Sequence, residues 1–125
     1  MEPLIIESTK GTPKVKFLPN GDLSIQGLSL PEDPELFFSP LMNWVKNYKG
    51  ENMNLDIRLN YMNTSSSKQL FTLLCDIKEN LHIKSADVNW YYEQDDEDCL
   101  EIGQEFEAYT KLNFNFYEYA EASEN

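Results

Sequence analysis

The apolar residues of this chain change period several times, and that alternation restricts the fold more than any other property of the sequence. Lys14-Val15-Lys16-Phe17-Leu18, Leu23-Ser24-Ile25-Gln26-Gly27, the stretch 53–61, the stretch 86–93 and Leu112-Asn113-Phe114-Asn115-Phe116 place them at every second position. That is the pattern of strands with one buried face. Leu70, Leu73, Leu74, Ile77 and Leu81 instead recur at helical spacing, and Ile102, Phe106 and Tyr109 share one face of a later helix. Pro19-Asn20-Gly21-Asp22 separates the first two alternating runs, and Asn-Gly between such runs is a hairpin signal.

Ser39-Pro40 reads as the N-cap and first residue of a helix carrying Leu41, Trp44, Val45 and Tyr48, with Gly50 as its stop. The preceding Leu30 to Phe38 contains Pro31 and Pro34 and is expected to form at most a helical turn. With further helices at about 66–80 and 97–109, the order is β-β-α-β-α-β-α-β. Strands joined by helices call for right-handed crossovers. The expectation is therefore an α/β fold, with a mixed, mostly parallel sheet entered by an N-terminal hairpin and packed by helices. Alternation along 86–93 sends Trp90 and Tyr92 to one sheet face and Tyr91 to the other, and a sheet covered on both faces would bury all three.

A chain of 125 residues can bury an ordinary core without metals or disulfides, so 1–125 reads as one domain. Only the ends, 1–11 and 120–125, read as loose. The formal charge of −12 is local: residues 1–85 hold nine basic and ten acidic side chains, whereas 86–125 hold one basic and twelve acidic. Such a surface repels phosphate backbones and anionic lipid, which argues against nucleic acid and membrane surfaces as partners. Its natural complement is a basic protein surface. The start, Met1-Glu2-Pro3-Leu4-Ile5-Ile6-Glu7, is acidic with a short apolar run, unlike a signal or spanning segment, and a cytoplasmic location is expected.

The strand at 53–61 passes into the helix at about 66–80 through Asn63 and four consecutive hydroxyl residues, Thr64-Ser65-Ser66-Ser67. Ser and Thr gather before helices because their hydroxyls satisfy orphan backbone N–H groups. Ser66 followed by Gln69 fits a capping box, which makes Ser66 the expected N-cap and leaves Thr64 in the turn before it. One hydroxyl suffices for a cap. The surplus at a positive helix end offers an acceptor for modification.

This junction resembles the phosphorylated turn of the SiaC family of bacterial regulatory phosphoproteins, whose layout is similar to that of the STAS (anti-sigma factor antagonist) domains. Trp90-Tyr91-Tyr92-Glu93-Gln94-Asp95-Asp96-Glu97-Asp98, followed by Leu100-Glu101-Ile102-Gly103 and Glu105-Phe106, is similar to a second signature of that family. Thr12-Pro13-Lys14-Val15, Pro31-Glu32-Asp33, Pro40-Leu41 and Trp44 are similar to its opening, so the resemblance runs from about Thr12 to Phe116. It implies a STAS-like fold and a non-enzymatic switch. Thr64 would be the phosphorylated residue, with Asn63, Ser65 and Ser66 as its neighbours. It further implies a cognate protein kinase, a PP2C-type phosphatase, and a target such as a diguanylate cyclase that the unphosphorylated form binds and regulates. An anti-sigma factor antagonist controlling transcription is the alternative from the same layout, and a small-molecule or divalent-metal-binding domain is a third reading.

The remaining candidates carry less chemistry. Asp95-Asp96-Glu97-Asp98 lacks the glycine and the terminal glutamate spacing of an EF-hand, and acidic residues favour helix N-termini. These four are expected to cap a helix or contact a partner rather than hold a metal. Cys75 and Cys99 form neither a zinc pattern nor a redox motif and read as small buried hydrophobes. His82, at the end of a helix, has no sequence partner for general-base work. No nucleophile elbow, P-loop or dinucleotide fingerprint is present, so neither an enzyme nor a cofactor is expected.

Overall fold

The computed structural model describes residues 1–120. It contains strands β1 (Leu4–Ile6), β2 (Lys14–Phe17) and β3 (Asp22–Ser29), helix α1 (Pro34–Asn47), β4 (Asn52–Met62), α2 (Thr64–Glu79), β5 (Ser85–Glu93), α3 (Glu97–Thr110) and β6 (Asn113–Tyr119). The six strands form one sheet in sequential order, antiparallel from β1 to β3 and parallel from β3 to β6. This is the mixed α/β sheet and hairpin entry expected from the periodicity. Gly21 supplies the positive φ of 99° that the turn between β2 and β3 requires.

Sequential order has a strong consequence. Each crossover moves one strand further in the same direction, so crossovers of one hand lay α1, α2 and α3 on the same face. Burial follows that face. Phe17, Leu23, Leu55, Val88 and Phe114 lie in one register row, and all five are buried. Val15, Ile25, Ile57 and Trp90 make the next buried row. The interleaved row Lys16, Ser24, Asp56, Asn89 and Asn115 faces away from the helices. There Asn89 donates to Asn54 and Asp56 at 3.0 and 2.7 Å, and Asn115 donates to Asn89 at 3.1 Å. Parallel sheets are usually covered on both faces and read as continuous apolar runs. These strands alternate because only one face is covered. Trp90 is accordingly buried, whereas Tyr91 on the open face is half-buried, stacked on Tyr117 with ring centroids 5.0 Å apart.

Several boundaries depart from expectation. Residues 1–11 are not all loose: β1 pairs with β2, and the Trp44 indole donates to the Glu2 carbonyl at 2.8 Å, anchoring the chain start. Helix α1 begins at Pro34 rather than Pro40, capped by Asp33, whose carboxylate accepts from the Leu36 N–H at 3.1 Å. Asp33-Pro34 and Ser39-Pro40 are equivalent start signals, and the burial of Phe38 rewards the longer helix. Pro40 withholds an N–H from the Leu36 carbonyl, but Leu36 is 72% exposed and water can serve that carbonyl. Leu81, placed on the apolar helix face by its spacing, lies beyond the end of α2 and is 93% exposed. Tyr109 is 78% exposed, because Phe106 and Thr110 take the inward positions at the end of α3. Both cysteines are partly exposed rather than buried. Strand β6 runs on to Tyr119, past the expected end at Phe116, and residues 121–125 of the tail expected to be loose lie outside the described residues.

Helix α3 packs closely on β5. The Trp90 indole donates to the Cys99 carbonyl at 3.0 Å, and a Cβ placed on Gly103 would meet the indole nitrogen at 2.7 Å. Trp90 is 1% exposed and has little room to give way. Gly103→Ala should therefore lower stability by about 1–3 kcal/mol, although alanine is the better helix former by about 1 kcal/mol. Urea denaturation will show the direction, and an unchanged or raised midpoint would contradict this account of the packing.

Candidate regulatory site at the start of helix α2

In the parallel part of the sheet each strand runs into a loop and then a helix start, so the N-termini of α1, α2 and α3 gather at the carboxyl ends of β3, β4 and β5. The residues expected to form the site lie here. Asn63 is the N-cap of α2, and its side-chain oxygen accepts from the Ser66 N–H at 2.8 Å. Thr64 is the first helical residue, exposed at the surface with Ser65 beside it.

The expected cap at Ser66 is thereby corrected. Ser66 is fully buried and spends its hydroxyl on β3, donating to the Ser29 carbonyl at 3.1 Å and accepting from the Ser29 hydroxyl at 2.9 Å. The Asn63 N–H adds a third bond to β3, reaching the same carbonyl at 3.2 Å. Asn caps as well as Ser does. With Asn63 capping and Ser66 tying the helix start to the sheet, the cap leaves Thr64 and Ser65 uncommitted. Sequence reasoning had no means of finding Ser29, since a serine at a strand end carries no signal until its partner is known. Asn63 as the cap was legible in principle, because Asn immediately before a helical run is a start signal.

The first turn of α2 carries no acidic residue, whereas α1 has Glu35 and α3 has Glu97 and Asp98 there. Between the starts of α1 and α2 runs a groove of about 360 Å³ lined by Asp33, Glu35, Ser65, Lys68 and Gln69. Lys68 stands one helical turn beyond Thr64, on the same side of α2.

The acidic turn is partly structural. Asp95 adopts a positive φ of 70°, and Asp96 is the N-cap of α3, accepting from the Cys99 N–H at 3.1 Å. Asp95, Glu97 and Asp98 remain exposed. Among the described residues no three His, Cys, Asp or Glu side chains are grouped so as to hold a metal ion. His82 is exposed in the turn after α2, its backbone N–H donating to the Asn80 side chain at 2.9 Å. Burial and then the Asp96 charge push the Cys99 thiol up to about 11, and burial also raises Cys75, so neither is a ready thiolate. Sequential strand order offers no reversal of the kind at which α/β sheets open a nucleotide crevice. Among the described residues no helix is long and apolar enough to cross a membrane.

These geometries separate the hydroxyls by stability. Ser66→Ala should cost about 1–3 kcal/mol, because it strips a buried partner from Ser29, and Asn63→Ala about 1 kcal/mol for the lost cap. Thr64→Ala should stay within about 0.5 kcal/mol of the parent. Thermal or urea unfolding of the three variants measures the order, and a Thr64→Ala loss equal to that of Ser66→Ala would mean that Thr64 is structural. In the acidic turn, Asn suits both the positive φ of Asp95 and the cap at Asp96. Changing Asp95, Asp96 and Asp98 together to Asn should leave the melting temperature unchanged or raised, whereas Asp96→Ala should cost about 1 kcal/mol.

Comparison with known proteins agrees with this fold. The model of the SiaC family regulatory phosphoproteins matches residues 6–119. A protein of Pseudomonas aeruginosa (strain UCBPP-PA14), itself uncharacterized, is 33% identical over 112 residues, covering 85% of this chain and 88% of its own length. Among solved structures, the complex of the Pseudomonas aeruginosa diguanylate cyclase SiaD with its activator SiaC contains a chain that superposes with a TM-score of 0.83 at 29% identity. The match covers 93% of this chain and 99% of that one. Apo-SiaC of the same organism gives 0.77 at 30% identity, over 94% of this chain and 99% of that one. With the match running from the last residue of β1 to the last of β6, this chain belongs to the SiaC family of regulatory phosphoproteins.

Proposed function

We propose that this chain is a switch set by reversible phosphorylation of Thr64, whose unphosphorylated form binds and activates a diguanylate cyclase. A cognate protein kinase adds the phosphate and a PP2C-type phosphatase removes it. The observation that carries the reading is the exposure of Thr64 at the first position of α2, where Asn63 has already satisfied the cap. The cyclase as target is supported by the likeness to SiaC, which is found in complex with the cyclase SiaD and is called its activator.

A phosphate on Thr64 adds about 1.5 to 2 negative charges at neutral pH and three acceptor oxygens. At a helix N-terminus it faces free N–H groups and the positive end of the dipole, so its cost to the fold is small. Lys68 is within one turn to pair with it. A partner surface fitted to the neutral hydroxyl then meets bulk and charge, and release needs no backbone movement. The acidic residues Asp95, Glu97 and Asp98 extend the surface a basic partner would meet.

The test pairs mass spectrometry with binding. After incubation with the cognate kinase, fragment spectra should place the phosphate on Thr64, and phosphate chiefly on Ser65 would sink the assignment. Thr64→Ala should keep its affinity for the cyclase, since one lost hydrogen bond costs roughly 0.5–1.5 kcal/mol. Thr64→Glu and the phosphorylated protein should bind far more weakly, because an unpaired charge buried at an interface costs several-fold more, about 3–5 kcal/mol. Equal affinity of the cyclase for both phosphorylation states would make the chain a constitutive adaptor.

A further inference from the structure

Beside Thr64 a pocket of about 240 Å³ opens between the end of β4 and the start of α3. Leu59 and Met62 from β4 and Cys99 and Ile102 from α3 give it an apolar interior, while Asp96 and Asp98 stand at its rim. Tyr61, also lining it, is 57% exposed, a large ring left mostly in water. Met62, at the end of β4, stands two residues before Thr64, so the pocket opens at the same end of the sheet as the start of α2.

The chemistry of the lining narrows the occupant. Pockets that hold whole small ligands run to roughly 300–1,000 Å³, so this one suits a single side chain better than a nucleotide. Carboxylates at the rim repel phosphates and other anions, and the net charge of −12 raises the local concentration of cations. Apolar walls below an acidic rim fit a long aliphatic stem ending in a positive charge. Of the two such side chains, arginine is the better match: its guanidinium is weakly hydrated, stacks on an aromatic face such as Tyr61, and forms paired bonds to a carboxylate. Asp96 spends one oxygen on the Cys99 N–H, which fixes the carboxylate in place. The Cys99 thiol, pushed up to about 11 mainly by burial, stays neutral and offers no competing covalent chemistry.

We propose that this pocket is the socket for one arginine side chain of the protein partner, anchoring it beside Thr64. The proposal rests on reading the chain as a protein-binding regulator. It adds where the partner is gripped and by what chemistry. A partner held there docks at the end of the sheet where Thr64 begins α2, so the occupancy of the socket is exposed to the state of Thr64.

The probe is N-butylguanidinium, which reproduces the arginine side chain without a partner protein, followed through the amide resonances of the ¹⁵N-labelled chain. Saturable shifts should appear at Met62, Asp98, Cys99 and Ile102. Butylammonium and butanol should bind more weakly, by roughly fivefold or more, and Asp98→Asn should remove the guanidinium response. Shifts that spread along α3 without saturating, equal binding of butylammonium or butanol, or an unaltered response in Asp98→Asn would each overturn the proposal. In the second arm, Asp98→Asn should weaken binding of the cyclase at least roughly fivefold with Thr64 unmodified. Full affinity there would overturn the docking role even if the probe binds. Because the probe arm needs neither partner nor phosphate, it remains readable if Thr64 proves not to be the switch.

Discussion

Everything in this molecule hangs on the one-sidedness of its sheet. Four parallel strands in sequential order, joined by crossovers of one hand, put all three helices on a single face. The core is then one layer thick, running from Val15 and Phe17 at one side to Trp90 and Phe114 at the other. Side chains on the uncovered face must be content in water, which is why Asn54, Asp56, Asn89 and Asn115 form a hydrogen-bonded ladder there. A burial of this kind leaves little tolerance in the contacts that remain, and the indole of Trp90 lying against Gly103 shows how closely the layers approach.

The same topology creates the end of the molecule at which the candidate site lies. Parallel strands bring the helix N-termini together at one edge of the core, where backbone N–H groups and dipole ends are positive. Two of the three are neutralised by acidic residues in their first turn, and α2 is not. The buried pair Ser29 and Ser66 holds α2 against β3 and sets which hydroxyls point inward and which outward. Division of labour among neighbouring residues follows: Asn63 caps, Ser66 anchors, and Thr64 and Ser65 remain at the surface.

Charge completes the arrangement. The C-terminal third of the chain carries most of the excess acidity, and its exposed carboxylates Glu97 and Asp98 begin the helix that borders the pocket next to Met62. A phosphate on α2 would add to a surface that is already acidic on both flanks. Electrostatics of this kind acts mainly on partners approaching from solution, since surface charges contribute little to the fold itself.

The sequence by itself determined the element types, their order, the hairpin and the inward-facing residues of the strands, because a period of two or of 3.6 is a direct imprint of which face meets the core. It also determined that the hydroxyl turn lies at a helix start, and the resemblance it carries to the SiaC family is shown by the match over residues 6–119. Tertiary structure decided what periodicity leaves degenerate. Asp33-Pro34 and Ser39-Pro40 are equal start signals until Phe38 is buried. The first residues read as loose until Trp44 reaches the Glu2 carbonyl. Leu81 and Tyr109 keep helical spacing yet face water, because α2 ends before Leu81 and because Phe106 and Thr110 take the inward positions at the end of α3. Ser66 looked like a cap because hydroxyls before a helix usually are. Only the approach of Ser29, 37 residues earlier, shows that it is an anchor, and contacts of that separation are made by packing rather than written in local sequence.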